Sequence, residues 1–87
     1  MAIMSKHQKL LDRFVSKPND FTWHELETLL TGFGYRAGPQ GNTGGSRRRF
    51  VHDTHAAINL HKPHPGNELK KYQMTQIITH LKGEGLI

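Results

Sequence analysis

Apolar residues recur three and four apart at the start of the chain, at Met4, Leu10, Leu11, Phe14 and Val15, with Lys6, Lys9, Asp12 and Arg13 elsewhere on the wheel. That period predicts a short amphipathic helix, and Pro18 stops it. The next stretch carries a fuller start signal. Thr22 stands three residues before Glu25, the spacing of a capping box, and Phe21 can staple onto Leu26. Trp23, Leu26, Leu29, Leu30 and Phe33 then form the stripe of a second helix. Gly32 and Gly34 follow and can supply the left-handed conformation that ends it, and Tyr35 opens the next segment.

Beyond Tyr35 the period changes from helical to alternating. Six of the nine glycines fall between Gly32 and Gly45, and Gly38 to Gly44 reads as a turn joining two strands. Arg47 to Asp53 alternates as a strand, with Arg48, Phe50 and His52 on one face and Arg47, Arg49 and Val51 on the other. Asp53 to His55 makes a turn. Ala57 to His61 forms a third strand with Ile58 and Leu60 on one face, and Pro63 and Pro65 forbid its continuation. Helical spacing returns at Leu69, Met74, Ile77, Ile78 and Leu81 and ends at Gly83 or Gly85. The predicted class is α+β, in the order α-α-β-β-β-α: a three-stranded antiparallel sheet with helices packed on one face and the other face wet. No internal repeat or low-complexity tract is present.

Composition narrows the functional classes. At 87 residues the chain is read as a single domain over 1–87, and folding buries only roughly 60% of the unfolded surface, too little for a large cofactor-binding enzyme. The absence of cysteine excludes disulfides and thiolate metal sites and fits a reducing compartment. There is no apolar run of membrane-spanning or secretory length, so the expected location is the cytoplasm. The net charge is +5, from 12 Lys+Arg against 7 Asp+Glu. Its placement is uneven: five basic and four acidic residues in 1–44 (+1), seven and three in 45–87 (+4). The second half also holds five of the seven histidines. A basic half without a basic amphipathic helix points to nucleic acid rather than a membrane surface.

Two constellations could carry chemistry. Arg47, Arg48 and Arg49 follow Gly45 and Ser46, a flexible turn delivering guanidinium groups to both faces of a strand, and guanidinium matches phosphate in bidentate geometry. The competing reading is an edge strand protected from aggregation by charge. His61, Lys62, Pro63 and His64 are followed by Lys70 and Lys71. Prolines stiffen the backbone around His64 beside three ammonium groups, and imidazole near cations suits proton transfer at a phosphodiester. Lys70 and Lys71 at a helix start oppose its dipole, which is tolerable where an anion also sits. The plain alternative is a Pro-rich turn with an incidental histidine. The spacing of His52 with His55 and of His61 with His64 resembles metal ligation, but residues three apart in a strand point to opposite faces and no carboxylate or thiolate joins them. His7, His24 and His80 read as surface or boundary groups, and Trp23 and Phe14 as core. The seven carboxylates are scattered, so no metal or other cofactor is expected and any chemistry on RNA is expected to be metal-independent.

The ordered pieces resemble the HicA family of toxins from bacterial toxin-antitoxin pairs. The resemblance covers about 22–87: Leu29, Leu30, Gly32, Phe33, Gly34 and Tyr35 at a helix end, Gly45 and Ser46 before a strand containing Phe50, His64 and Pro65 with Glu68, Leu69 and Lys70, and a final helix closing on Gly85 and Leu86. Residues 1–17 lie outside that core as an extra helix. The resemblance implies a fold like a double-stranded RNA-binding domain, an mRNA interferase that inhibits translation, and a HicB-like antitoxin partner. In many family members a catalytic histidine follows Gly-Ser, and here that position is Arg47. Three arrangements follow: His64 or His61 is the base with Arg47 as charge stabiliser, another histidine such as His52 reaches the site, or the protein binds RNA without cutting it. The first assigns His64, His61 and Arg47 to catalysis and Arg47, Arg48, Arg49, Lys62, Lys70 and Lys71 to RNA binding.

Overall fold

A computed structural model describes residues 5–38 and 47–87. Met4 and the glycine-rich stretch 39–46 lie outside the described residues. The element order is α1 (Lys6–Val15), α2 (Trp23–Gly32), β1 (Arg36–Ala37), β2 (Arg47–Val51), β3 (Ile58–His61) and α3 (Lys71–Gly83). The three strands form one antiparallel sheet in the order β1-β2-β3. Arg47 stands opposite His61, Arg48 opposite Leu60 and Phe50 opposite Ile58. Side chains alternate across a strand, so Phe50, Ile58 and Leu60 turn inward and are buried. On the outer face Arg36, Arg47, Arg49, Asn59 and His61 are exposed. The α+β class, the element order and the antiparallel sheet are as the sequence predicts. The strands are shorter at their ends: β2 stops at Val51 and β3 starts at Ile58.

The inner sheet face packs on α2 and α3, and α1 packs on those two helices. One core joins them, with Phe14, Phe21, Leu26, Leu29, Leu30, Met74 and Leu81 fully buried. Trp23 belongs to it as well, at 5% exposure. Val15 falls off the buried stripe of α1 and is exposed. Phe33 is only partly buried, packing edge-on against the His7 ring at a centroid distance of 4.6 Å.

The helix ends follow from their sequences. Thr22 Oγ1 accepts from the Glu25 amide (3.2 Å) and Glu25 Oε1 accepts from the Thr22 amide (3.0 Å), completing the capping box. Of the two glycines expected to end α2, Gly34 takes the left-handed conformation, φ 97°. Gly34 N–H donates to Thr31 O and Tyr35 N–H to Leu30 O, the paired bonds of a Schellman motif. Gly32 remains helical, packed so closely on His7 that a Cβ there would collide with the imidazole. At the end of α3 the same motif recurs: Gly85, φ 75°, donates to Lys82 O and Leu86 to Leu81 O.

The segment after β3 is clipped back onto the start of α2. Trp23 N–H donates to Asn67 O and Leu69 N–H to Phe21 O, both at 2.7 Å, around an isolated bridge between Thr22 and Glu68. This short pairing holds the Pro63–Pro65 loop at its far end, while β3 holds its beginning.

Candidate functional site

The sheet register places the basic residues first. Arg47 and Arg49 lie two positions apart on β2, hence about 6.8 Å apart along the outer face, and His61 stands across from Arg47 on β3. Arg47, Asn59, Leu60 and His61 line one shallow groove. Arg48 turns to the inner face at the Arg47–His61 end of the sheet, donating from Nη1 to Arg47 O at 2.9 Å. The arginine triplet therefore presents guanidinium groups on both faces.

Beyond the end of β3 a cleft of about 190 Å³ is lined by His61, Lys62, Pro63, His64, Lys70, Tyr72 and Gln73. His64 is exposed on its Pro-flanked loop, and Lys70 is the N-cap of α3. Both histidines and two of the expected lysines thus share one cleft. Lys71, the first residue of α3, is exposed and lines none of these clefts. A third cleft, of about 220 Å³, lies between the start of α2 and the sheet, with Arg48, Arg49 and Lys62 among its walls. Lys62 is common to this cleft and the histidine cleft. His61 is common to the histidine cleft and the outer-face groove.

Gln73 was not singled out by the sequence pattern, yet it is the buried polar residue of the site at 5% exposure. Its Nε2 donates to the His61 carbonyl at 2.8 Å and its Oε1 accepts from the Lys70 amide at 3.1 Å. It ties the last residue of β3 to the first turn of α3, with the histidine loop between them. Gln73 stands three residues after the N-cap, the capping-box spacing that locates Glu25 in α2. With lysine in place of a capping Ser or Thr, that signal is muted.

His52, His55 and His80 are used elsewhere. His52 Nδ1 accepts from the Thr54 amide (3.0 Å), and its Nε2 lies 2.9 Å from Phe33 O, to which it donates. The His52 and His55 rings meet edge to face at 4.6 Å. The strand argument placing them on opposite faces fails because β2 ends at Val51 and the chain bends between them. His55 Nδ1 lies 3.0 Å from Glu84 Oε1, which also accepts from the Ala56 amide at 2.9 Å. His80 Nε2 lies 3.1 Å from the Tyr35 hydroxyl, which donates to Ala56 O at 2.9 Å. The Ala56 and His55 hydrogen bonds hold the Glu84 carboxyl below its ordinary range, and burial followed by the charge of Glu84 raises the Tyr35 phenol. This cluster fastens the 52–56 bend to the last turn of α3. These bonds hold His52 at the bend, and it is not among the residues lining the histidine cleft. Among the described residues no group of three or more His, Cys, Asp or Glu side chains converges as metal ligands would.

Fold and site together define a small basic α+β domain with a cation-lined histidine cleft. A family model described as the HicA toxin of bacterial toxin-antitoxin matches residues 23–82, well over half of the chain, and the chain belongs to the HicA toxin family. The match begins at the first residue of α2 and leaves out α1. A search of the curated proteins and of the solved structures found no match. No helix among the described residues is long and apolar enough to cross a membrane.

Proposed function

We propose that the protein is the mRNA-cleaving toxin of a toxin-antitoxin pair, a metal-independent endoribonuclease held in check by a HicB-type antitoxin. The observation that carries this reading is the cleft in which His61, His64, Lys62 and Lys70 meet, in a chain of the HicA toxin family. In the proposed reaction the ribose 2′-oxygen attacks the adjacent phosphorus and the bond to the 5′-oxygen breaks. His64 takes the 2′-hydroxyl proton or returns one to the leaving 5′-oxygen, and His61 assists. Arg47, across from His61 on the outer face, stabilises the crowded phosphorane charge with Lys70. Arginine is too basic to accept that proton itself near neutral pH, so the proton work falls to imidazole. Arg48, Arg49, Lys62 and Lys71 bind the RNA on either side of the cut.

The test is incubation of the purified protein with single-stranded RNA in excess EDTA, beside His64→Ala and Arg47→Ala variants. The wild type is expected to cut. His64→Ala is expected to lose at least about a hundredfold in rate, and Arg47→Ala to lose both affinity and rate. Intact RNA at high protein excess overturns the nuclease reading in favour of an RNA-binding domain of the same fold.

A further inference from the structure

The cleft between α2 and the sheet is not needed for proton transfer, and its walls add a carboxylate to their cations. Trp23 and Phe50, which are 5% and 4% exposed, are among its lining residues. Arg48 and Lys62 bring cations, and Glu27 brings a carboxylate. Glu27 stands one helical turn after Trp23, so both face the same way from α2. It is half-buried, and no cation among the described residues forms a salt bridge with it. A carboxylate at this position repels phosphate, which a backbone-binding role for the cleft leaves unexplained. An acceptor beside donors in one cleft is what the hydrogen-bonding edge of a base requires. The volume, about 220 Å³, is below the roughly 300–1,000 Å³ of pockets for larger ligands and suits one base.

We infer that this cleft holds a guanine base of the RNA, with Glu27 as its reader. Guanine presents two neighbouring donors, N1–H and the N2 amino group, beside the acceptor O6. A carboxylate is acceptor-only with two oxygens, and Arg and Lys are donor-only. Glu27 takes the donor pair while Arg48 or Lys62 meets O6. Adenine and cytosine offer their amino group as the single donor on that edge, and uracil offers one donor between two acceptors. Because Lys62 lines both this cleft and the histidine cleft, the base read here belongs to a nucleotide beside the cleaved bond. The inference rests on the proposed action on RNA and adds a sequence preference to it.

The test uses wild-type protein and the 2′-fluoro pentanucleotides UUGUU, UUAUU and UUCUU, which lack the 2′-hydroxyl that cutting requires. Affinity is read from the anisotropy of a terminal dye, and location from the emission of Trp23, the single tryptophan of the chain. UUGUU is expected to bind about tenfold more tightly than the other two and to quench Trp23. Glu27→Gln is expected to lower UUGUU to the level of UUAUU while leaving UUAUU unchanged. Equal affinity for the three, a guanine preference that survives Glu27→Gln, or binding without a change in Trp23 emission overturns the inference. If ordinary RNA stays intact under the wild type while the guanine preference holds, the inference stands and the nuclease reading alone falls.

Discussion

Gln73 donates to the His61 carbonyl and accepts from the Lys70 amide, so one buried side chain sets where the end of β3 lies relative to the start of α3. Gln73→Leu keeps the apolar volume and leaves both backbone groups unpaired, which costs about 1–3 kcal/mol. A urea unfolding series is expected to show that loss, and cleavage is expected to fall with it through kcat more than KM, because Lys70 and His61 lose their common anchor. Glu84 contributes to the acid dependence of the fold. Its folded-state pKa is held below the ordinary value of 4.5 by the Ala56 and His55 hydrogen bonds. Its contribution is therefore fully present above that value and is lost as pH falls through the lowered one. Thermal melts are expected to show a smaller drop between pH 7 and pH 3 for Glu84→Gln than for the wild type. Neither residue was legible in the sequence as more than a polar helix position. Their partners lie 12 residues away for Gln73 and 28 and 29 for Glu84, beyond the reach of periodicity. His64 was legible because its flanking prolines constrain it locally.

Two helices in the molecule end on the same backbone motif, and the two glycines that make it differ in their surroundings. A Cβ on Gly85 would meet nothing within 4 Å, whereas one on Gly34 would lie 2.7 Å from His52 Nε2. Both positions have positive φ, so each alanine variant carries backbone strain of about 1 kcal/mol. Gly34→Ala also displaces the imidazole that donates to Phe33 O. Denaturation midpoints are expected to fall for both variants and further for Gly34→Ala, and equal losses would show that His52 yields freely. At this scale the sequence was most informative where signals are local: the capping box of α2, the glycine ends, and the alternation that turns Phe50 inward and Arg47 and Arg49 outward. It was least informative for β1, only two residues long, whose pairing with β2 is set by the sheet rather than by its own pattern. Leu69, which its spacing assigns to the final helix, instead precedes α3, because its N–H donates to Phe21 O in the residues leading into α2.

Across the molecule, basic residues gather at the Arg47–His61 end of the sheet, where the histidine cleft shares Lys62 with the cleft beside α2 and His61 with the outer-face groove. The opposite end is fastened by Tyr35, His55, His80 and Glu84. One end thus holds the fold together and the other carries the cations that line the clefts. Helix α1, outside the family match, adds the fully buried Phe14 to the common core. Its last turn is tied to α2 through Arg13, which pairs with Asp20 and Glu25 at 2.7 Å. This separation of stability from chemistry explains why the total of seven histidines misleads until their positions are known: two line the cleft at the basic end, while three fasten the bend at the other. The most direct test of the histidine cleft as a metal-independent nuclease is the chemistry of the cut ends. Mass spectrometry of RNA cleaved in EDTA is predicted to show 2′,3′-cyclic phosphate and 5′-hydroxyl termini, with no cut where the ribose is replaced by 2′-deoxyribose. Cleavage 5′ to a phosphate that leaves 3′-hydroxyl and 5′-phosphate ends, or that persists at the deoxy position, would contradict it.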